Sequence, residues 1–446
     1  MKDTLILMQE LNLFMMSPLH WNTACLCVNS GDINDEVSKA TDYGAMAKAI
    51  GNMPTGFVSP PRINSSSIGF KTNMAEQKVM YGLGAISGIN FDVAREIIAN
   101  RPYVSFRDFI EKCVKTKIIQ PSKVYNLIKA GCFDEINSNR VEIMKEFIIY
   151  LVPDKDKLTG SNVSKMYNYG IIPNKYNYEL ELFFLKKEIF DKRNIVSMYN
   201  KTQGLYKVPK SCLTIFENHI NVFLDAVEYS DEGDLCLKSK EFNTIYKKEF
   251  SPLSDWIKSE EALNLFNASS KNELWFKYCL GTVSKWEMDS IGYYTNKHEL
   301  DEINISNYYK LSDFNTLPSE PKSVLKTNPR TGREYKQMEL VTLAGVVVDK
   351  NKNKKIVTLS TLHGVVDVKL QQEAFAYYDK KTEEDSWFKR GTKLLVNGFR
   401  RGEVFVPRVY FDSIFDSTFL KIEENSGRLI LKKKNNSQVD DNFLLA

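Results

Sequence analysis

Residues that build metal sites and disulfide frameworks are scarce in this sequence. Its 446 residues include 4 histidines and 7 cysteines. Only Cys25 and Cys27 lie close together, and the single residue between them is fewer than a zinc knuckle requires. An odd number of scattered cysteines predicts reduced thiols and a cytosol-like compartment. With so few histidines to complete a site, we expect no metal bound by this chain.

Long hydrophobic runs and a strong charge of either sign are also missing. The longest apolar stretches, 5–8 and 147–152, are far shorter than the ~20 residues of a membrane span. The N-terminus lacks the basic segment and apolar core of a secretion signal. We therefore expect a cytoplasmic protein with no membrane contact. The formal net charge is only +4, so attraction to an acidic polymer must come from local clusters of basic residues.

The length predicts about three domains, and a hydrophobic content of 43% is enough to build their cores. Glycine, proline and polar clusters divide the chain into six segments of an α+β multidomain fold. They are a helical segment with a linker (1–70), short helices with glycine-bearing turns (71–147), a mixed region of unassigned fold (148–285), a helical connector with a basic linker (286–337), an all-β domain (338–415) and a polar tail (416–446).

Local patterns are clearest in the second and fifth segments. Amphipathic helices are predicted over 92–100, 106–114 and 122–129, with Ser105 as an N-cap. Runs rich in Val, Leu, Ile and Phe predict five strands, over 340–349, 355–360, 365–370, 393–399 and 403–411. A helix over 371–378 would plug the end of a five-stranded OB barrel. In the mixed region, 178–193 and 254–266 are helix-like, whereas 220–227 and 235–237 are strand-like.

Four motifs occur in the order found in one known family. Residues 79–89 (VMYGLGAISGI) and the segment before them, 60–70 (PPRINSSSIGF), resemble a signature and its prelude in the bacterial replicative DNA polymerase III α subunits. Residues 127–134 (LIKAGCFD) and 287–300 (EMDSIGYYTNKHEL) are similar to two further motifs of that family. Arg62 replaces the family's aspartate and Glu299 its proline, and the barrel then follows in the family's order.

The resemblance implies the C-terminal half of a DnaE-like α subunit, because the barrel lies at the C-terminal end. It implies a helical fingers remnant in 1–70, a helix-hairpin-helix region in 71–147 and an OB domain in 338–415. The palm, whose carboxylates hold Mg²⁺ in this family, would precede Met1. The acidic residues of 153–157 lie after the hairpins and are more typical of a solvated turn. We expect no catalytic residue and no cofactor here, with Mg²⁺ on a palm-bearing partner chain.

The resemblance also implies which residues contact duplex DNA. A helix-hairpin-helix turn offers unpaired backbone N–H groups to a phosphate. Glycines would allow close approach of the backbone, and the candidates are Gly84, Gly88 and Gly131. Asn90 replaces the second glycine of the first turn and is expected to tolerate the left-handed conformation there. Lys123 and Lys129 would add phosphate contacts. The alternative is a hairpin used only for packing, with its lysines on a solvated face.

Single-stranded DNA is expected to bind the barrel through basic and aromatic side chains. The basic candidates include Lys352, Lys354, Arg400 and Arg401. The aromatic candidates are Phe399, Phe405 and Tyr410. Because side chains alternate along a barrel strand, some of these rings are expected to point inward.

One segment matches the apolar pattern of the family's sliding-clamp peptide. It contains Leu263, Leu265 and Phe266, although Ala262 stands where that peptide has glutamine. The alternative is that an amphipathic helix buries these side chains. His298 lies in the fourth family motif, where we expect a structural hydrogen bond.

We therefore expect the C-terminal part of a split or truncated replicative polymerase α subunit, as in a phage-like gene. It would hold duplex and single-stranded template DNA for a palm-bearing chain. One rival is a stand-alone DNA-binding accessory protein built from polymerase-derived modules, with no catalytic partner. Another is a complete enzyme within 148–285.

Overall fold

A computed structural model describes residues 2–31, 41–54, 56–190, 198–200, 204–379, 386–408, 418–425 and 428–434. The chain divides into two units. The first consists of Met1–Glu146 and Cys279–Ala446, and the second of Phe147–Tyr278. The second unit lies inside the sequence of the first, and its bounds differ by several residues from the 148–285 expected for the mixed region.

The first unit begins with three helices. They are α1 (Lys2–Met16), α2 (Pro18–Ser30) and α3 (Tyr43–Gly51). The break between α1 and α2 falls at Pro18, which occupies the first turn of α2, where its missing N–H costs nothing. Asp42 caps α3 by accepting a hydrogen bond from the backbone N–H of Ala45 at 2.8 Å.

The helix-hairpin-helix region follows these helices. A small sheet has the strand order β1-β3-β2, with β1 (Val58–Ser59), β2 (Lys71–Asn73) and β3 (Lys78–Met80). A 3-10 turn (Leu83–Ala85) leads to α4 (Phe91–Ala99), α5 (Phe106–Phe109) with a π-helical turn (Ile110–Val114), α6 (Pro121–Lys129) and α7 (Arg140–Leu151). Ser105 caps α5 as predicted, accepting from the N–H of Asp108. Edge-on contacts of Phe106 and Phe109 with Phe133 fill the core.

The second unit mixes helices with a four-stranded antiparallel sheet, whose strands are β4 (Met198–Asn200), β5 (Leu205–Lys207), β6 (Val227–Tyr229) and β7 (Leu235–Lys238). Their order in the sheet is β4-β5-β7-β6. Its helices are α8 (Val163–Asn168), α9 (Asn177–Ile189), α10 (Lys210–His219), α11 (Ser239–Glu249), α12 (Ser251–Ile257) and α13 (Glu260–Tyr278). The helix-like 178–193 corresponds to α9, and 254–266 to parts of α12 and α13.

The strand predicted over 220–227 is wrong. Two 3-10 turns, Ile220–Val222 and Leu224–Ala226, occupy this segment, and β6 begins only at its end. Phe223 and Ala226 are fully buried while Leu224 is exposed. A spacing of three residues between the buried side chains suits a 3-10 turn, whereas a strand would bury alternate residues.

The chain returns to the first unit with α14 (Val283–Ile291) and α15 (Glu299–Glu302). The predicted basic linker after them contains an antiparallel hairpin of β8 (Ser323–Thr327) and β9 (Glu334–Met338). Among the described residues, this hairpin pairs with no other strand.

A closed five-stranded β-barrel follows, as predicted. Its elements are β10 (Val341–Asn351), β11 (Ile356–Thr361), β12 (Gly364–Lys369), α16 (Gln372–Tyr378), β13 (Lys393–Arg401) and β14 (Val404–Pro407). The strand order is β10-β11-β12-β14-β13, and antiparallel pairing of β10 with β13 closes the barrel. Alternate inward positions such as Val357 and Leu359 fill its core together with Phe405 and rings of α16.

The predicted polar tail is wrong for the residues that the structure describes. Strand β15 (Phe419–Asn425) pairs with β13, and β16 (Arg428–Lys432) pairs with β15. Phe419 and Leu420 are almost completely buried against the barrel. The apolar positions of this hairpin are separated by charged residues, so composition alone conceals them.

All seven cysteines lie among the described residues, and none of them forms a disulfide bond. No helix in the described part of the chain is long and apolar enough to cross a membrane.

Candidate nucleic-acid interface

Residues 87–90, here called the hairpin turn, lie immediately before helix α4. Gly88 is exposed, and its φ of +77° is a left-handed conformation that glycine adopts without strain. Ile89 is buried beneath the turn. Among the described residues, the backbone N–H groups of Gly88, Asn90 and Phe91 have no hydrogen-bond acceptor. These donors lie at the positive end of the α4 dipole, which is the arrangement that binds a phosphate.

Two other helices hold the hairpin turn in place. The Nδ2 atom of Asn126 on α6 donates to the Ser87 carbonyl at 2.7 Å. The Ser87 N–H donates to the carbonyl of Ser290 on α14 at 2.8 Å. Both anchors use the Ser87 peptide groups, so the next residues, Gly88 to Asn90, present a fixed backbone to solvent.

The conformation expected of Asn90 is wrong. Its φ of −87° and ψ of +166° are extended, and its side chain caps α4 by accepting from the N–H of Val93 at 3.3 Å. The left-handed residue of the turn is Gly88 alone. Asparagine is therefore favoured at position 90 as an N-cap, which requires no second glycine.

Gly84 and Gly131 are both buried, and the close approach that each permits is to a neighbouring side chain. A Cβ added to Gly84 would lie 2.3 Å from the ring of Phe91. A Cβ added to Gly131, whose φ is +84°, would lie 2.3 Å from the Arg140 guanidinium. The expectation that these two glycines admit a phosphate is therefore wrong, and Gly88 is the glycine of the set that solvent reaches.

The two lysines predicted on α6 differ in their surroundings. Lys123 lies one turn before Asn126, on the side of α6 that contacts the hairpin turn. Burial lowers the pKa of Lys129, and the nearby Asp289 carboxylate opposes that effect. Lys129 is therefore turned toward α14, and Lys123 is the better candidate for a phosphate contact.

Lys352 and Lys354 lie in the turn between β10 and β11, and both are exposed. The Lys352 ammonium is 3.5 Å from Asp379 with most of its side chain in solvent. The main chain of Lys354 is fixed by Asn351 and by Lys369, so its side chain projects from an ordered turn. Both lysines therefore remain candidates for strand binding.

Arg400 and Arg401 are neighbours with different roles. Arg400 donates to the carbonyls of Gly402 and Leu317 at 2.8 and 3.0 Å, and its guanidinium lies over the Phe314 ring. Arg400 therefore attaches the 314–317 segment to the barrel. Contrary to expectation, its guanidinium is not free to contact single-stranded DNA. Arg401 is exposed, with its guanidinium 5.9 Å from the ring of Phe399.

The three aromatic candidates of the barrel differ in how accessible their rings are to a base. Phe405 is completely buried in the barrel core and cannot stack on a base. Phe399 is half-buried and lines a small cleft of about 140 Å³ beside Arg400 and Pro318. Tyr410 lies outside the described residues. Of the described candidates, Phe399 alone has an accessible ring.

A larger cleft of about 360 Å³ joins the hairpin turn to the barrel. Its lining residues are Ser87, Asp289, Val348, Asp349, Lys350, Ser386, Phe388, Lys389 and Arg390. Lys389 is exposed, whereas Arg390 is held by a hydrogen bond to the Val348 carbonyl and by the Tyr43 ring. Ser87 and Asp289 belong to two different family motifs, and the sequence does not show that they approach the barrel, because these residues meet only in the folded unit.

The clamp-peptide candidate lies within helix α13. Phe266 is buried in the core of the second unit, and Leu265 is 39% exposed. Leu263 packs at the edge of the same core. The three side chains therefore do not form one accessible apolar surface, and burial on an amphipathic helix, the alternative, describes them better.

The acidic segment at 153–157 is exposed and belongs to no helix or strand, in agreement with the solvated segment expected. Asp154 pairs with Lys271 at 2.7 Å, and the N–H of Lys155 donates to Asn267. In the described part of the chain, no group of three or more His, Cys, Asp or Glu side chains could hold a metal ion.

The β8–β9 hairpin is the main feature that sequence reasoning missed in this unit. Part of its signal was present, because the β-favouring residues Val324 and Thr327 precede the turn sequence Asn-Pro-Arg-Thr-Gly and Tyr335 follows it. The many basic residues of the segment suggested a linker instead.

Comparisons with known proteins agree with this geometry. A family profile described as a helix-hairpin-helix motif matches residues 57–143. The chain is 38% identical over 455 residues to "Probable DNA polymerase YorL" of Bacillus subtilis (strain 168) and to "DNA-directed DNA polymerase" of Bacillus phage SPbeta. These matches cover 97% of this chain and 34% of each relative. A third relative, "DNA polymerase III subunit alpha" of Chlamydia pneumoniae, is 32% identical over 164 residues, which cover 35% of this chain and 12% of the relative. The chain thus spans about a third of the length of the first two relatives.

Proposed function

Because this chain is homologous to one part of the DNA polymerase III α subunits and of their phage relatives, we propose that it holds DNA for a replicative polymerase whose catalytic palm is carried by a partner chain. Its ligands in this proposal are duplex DNA at the hairpin turn and single-stranded template DNA at the barrel. The protein acts in the bacterial cytoplasm and is of phage type.

The hairpin turn is the observation that carries the DNA-binding part of the proposal. It lies inside the residues matched by the helix-hairpin-helix profile, and its free N–H donors are concentrated at the start of α4. Such donors attract a phosphate without reading a base. Binding at this turn is therefore independent of sequence, as a replicative enzyme requires.

The barrel supports the proposed single-strand site. Five strands with a helix between the third and fourth support an OB-type assignment. Lys352, Lys354 and Arg401 supply exposed positive charge, and the cleft between Ser87 and Lys389 lies between the hairpin turn and the barrel. In this proposal a strand leaving the duplex passes this cleft on its way to the barrel.

Two observations support a palm-bearing partner. The described residues contain no carboxylate cluster of the kind that holds catalytic Mg²⁺, so in this proposal the Mg²⁺ is bound by the partner. Helix α1 exposes many large apolar side chains, and those 60% exposed or more are Leu5, Leu7, Met8, Leu11, Met15 and Met16. A contiguous apolar surface of this kind marks a protein interface. We assign no sliding-clamp contact to 263–266, because Phe266 belongs to a core.

The DNA-binding part is tested by the substitution Asn90→Asp. Aspartate keeps the N-cap acceptor for Val93 but adds a negative charge beside the proposed phosphate. Two unit charges 4 Å apart near a protein surface interact by as much as about 4 kcal/mol, so even a screened effect should lower duplex affinity about tenfold. Fluorescence anisotropy with a labelled duplex measures this, and Asn264→Asp on an exposed position of α13 adds the same charge as a control.

The wild-type salt dependence completes that test. If about four phosphates are neutralised, the logarithm of the affinity falls with the logarithm of salt concentration at a slope near −4, so the affinity falls roughly 250-fold between 50 and 200 mM. A slope close to zero, or equal binding by N90D and wild type, would contradict the proposed DNA contact.

The partner is tested by purifying the chain from its native host. The proposal expects a palm-bearing polypeptide to co-purify in equal amounts and nucleotide incorporation to require it. Stable isolation of the chain without that polypeptide would favour the accessory-protein alternative. Incorporation by the isolated chain would overturn the assignment of catalysis to the partner.

A further inference from the structure

The hairpin of β8 and β9, with its connecting residues 328–333, is here called the basic ribbon. Its strands are joined by five paired positions, and a hydrogen bond from the Glu339 N–H to the Lys322 carbonyl extends the ladder. At the tip, the Asn328 side chain accepts from the N–H groups of Arg330 and Thr331. The tip is therefore an ordered turn.

The basic ribbon has no core of its own. All of β8 is exposed, as are residues 329–336, and Val324, Leu325 and Tyr335 are 55%, 62% and 46% exposed. A two-stranded ribbon with both faces in solvent is only marginally stable in isolation. Neither packing nor a buried face explains the side chains on it, so their chemistry points to an external ligand.

The charge of the basic ribbon is strongly one-sided. With the flanking Lys322 and Glu339, residues 322–339 contain Lys322, Lys326, Arg330, Arg333 and Lys336 against Glu334 and Glu339. The excess is three positive charges within 18 residues, whereas the formal net charge of the whole chain is +4. Within the part of the chain that the structure describes, these five basic side chains have no ion-pair partner, although many lysines elsewhere are paired.

The pairing of β8 with β9 determines which of these charged side chains lie on the same face of the ribbon. Lys326 is paired with Tyr335, so these two side chains share one face. Val324 lies two residues before Lys326 on β8 and belongs to the same face. Arg333 lies two residues before Tyr335 and belongs to the same face. Glu334 is paired with Thr327 on the opposite face. One face thus combines basic and aromatic groups along the ribbon, and its acidic residue, Glu339, lies beyond the end of β9, opposite Lys322.

We propose that the basic ribbon is a second contact with duplex DNA, separate from the hairpin turn. The inference rests on the proposed function, because it assumes that the chain binds DNA. A two-stranded ribbon fits the major groove, which is about 12 Å wide, and unpaired Lys and Arg side chains can contact the phosphates along its edges. A single strand fits less well because the face with Lys326 and Arg333 offers one ring, Tyr335, where stacking would need several.

The test is the triple substitution K326A/R330A/R333A in the full chain. Since each phosphate contact contributes about 0.9 to the salt slope, the variant should lose between two and three units of slope and at least tenfold in duplex affinity at 150 mM salt. K326R/R330K/R333K keeps every charge and should retain the wild-type slope. The matched control K240A/K247A/K248A removes three exposed lysines from α11 and should change neither quantity.

The possible outcomes separate this inference from the proposed function. If N90D weakens duplex binding while the ribbon triple variant matches wild type in affinity and slope, the ribbon contact is wrong and the hairpin contact stands. If the wild-type protein shows no salt-dependent binding to duplex DNA, both the ribbon contact and the hairpin contact are wrong. Equal losses on duplex and on an unstructured single strand would overturn the assignment of the ribbon to duplex DNA.

Discussion

The guanidinium of Arg140 and the carboxylate of Glu287 form a buried ion pair across 147 residues of sequence, with Nη1 2.9 Å from Oε1. Their side chains are 4% and 0% exposed. Burial alone lowers the pKa of Arg140, but its hydrogen bonds to Asp134 and Glu287 outweigh that effect and raise it. Because Arg140 also donates to the Lys129 carbonyl, the pair fastens the end of α6 and the start of α7 to α14.

Removal of either partner should strongly destabilise the first unit. Arg140→Met leaves the Glu287 carboxylate buried without its cation, and breaking a buried pair in this way costs about 3–5 kcal/mol. Urea unfolding followed by tryptophan fluorescence measures the loss, since Trp286 is adjacent to Glu287 on α14. Lys115→Ala breaks a half-exposed pair with Glu111 and should cost less than about 1 kcal/mol. Equal unfolding midpoints for R140M and wild type would contradict the prediction.

Protonation of His298 should destabilise the fold in acid. Its Nδ1 accepts from the Leu300 N–H at 3.0 Å, Nε2 is 3.2 Å from the Ser360 hydroxyl, and burial lowers its pKa to about 4. Below pH ~6.5 the unfolded chain binds a proton that the folded chain excludes, so stability falls as the pH drops from 6.5 to 4, by up to about 3 kcal/mol. Above pH 6.5 this group contributes no pH dependence.

The substitution His298→Asn isolates that contribution. Asparagine can still accept from Leu300 but cannot titrate, so the difference in unfolding free energy between H298N and wild type should change between pH 6.5 and 4 and stay constant from pH 7 to 8. Urea midpoints over this range provide the measurement. Parallel curves for the two proteins throughout would show that His298 does not carry the effect.

Local sequence patterns predicted the parts of the fold that depend on neighbours in the chain. The helices at 92–100 and 122–129 and the strands of the barrel follow from the spacing of apolar residues, since Val357 and Leu359 point into the same core. The hairpin turn followed from Gly88 and the buried Ile89. These features need no information about distant residues.

Features that depend on distant contacts were not predictable in this way. Gly131 matches a family motif, but only the folded unit reveals that Arg140 fills the space beside it. Arg400 and Arg401 are indistinguishable in sequence, although one binds the 314–317 segment and the other is exposed. Phe419 joins the barrel core through pairing with β13, which no local pattern encodes.

Gly88 and Gly131, which both adopt a left-handed conformation, should respond differently to alanine. Gly88→Ala places an exposed Cβ 3.0 Å from Asn126 and forces a left-handed alanine, at a cost of about 1–2 kcal/mol. Gly131→Ala adds to that cost a 2.3 Å contact with Arg140 and disturbs the buried pair, so its total loss should exceed about 3 kcal/mol.

Duplex binding provides the second comparison between these glycine variants. At a temperature where both remain folded, G88A should weaken duplex binding because it disturbs the turn that offers the N–H groups, whereas G131A should bind like wild type. Thermal unfolding and anisotropy on the same samples measure both effects. Weaker DNA binding by G131A than by G88A would instead indicate that Gly131 contacts DNA.

The neighbouring arginines of the barrel allow a matched comparison of structure and binding. Arg400→Ala removes the donor to the Leu317 and Gly402 carbonyls and should cost about 1–3 kcal/mol of stability. Arg401→Ala should change stability by less than about 0.5 kcal/mol, because its side chain is exposed, and should lower affinity for a single-stranded oligonucleotide severalfold. Arg428→Ala, at an exposed position on β16, is the control for loss of one charge. If R401A and R428A bind a single strand equally well, the face of the barrel that carries Arg401 is not the strand-binding face.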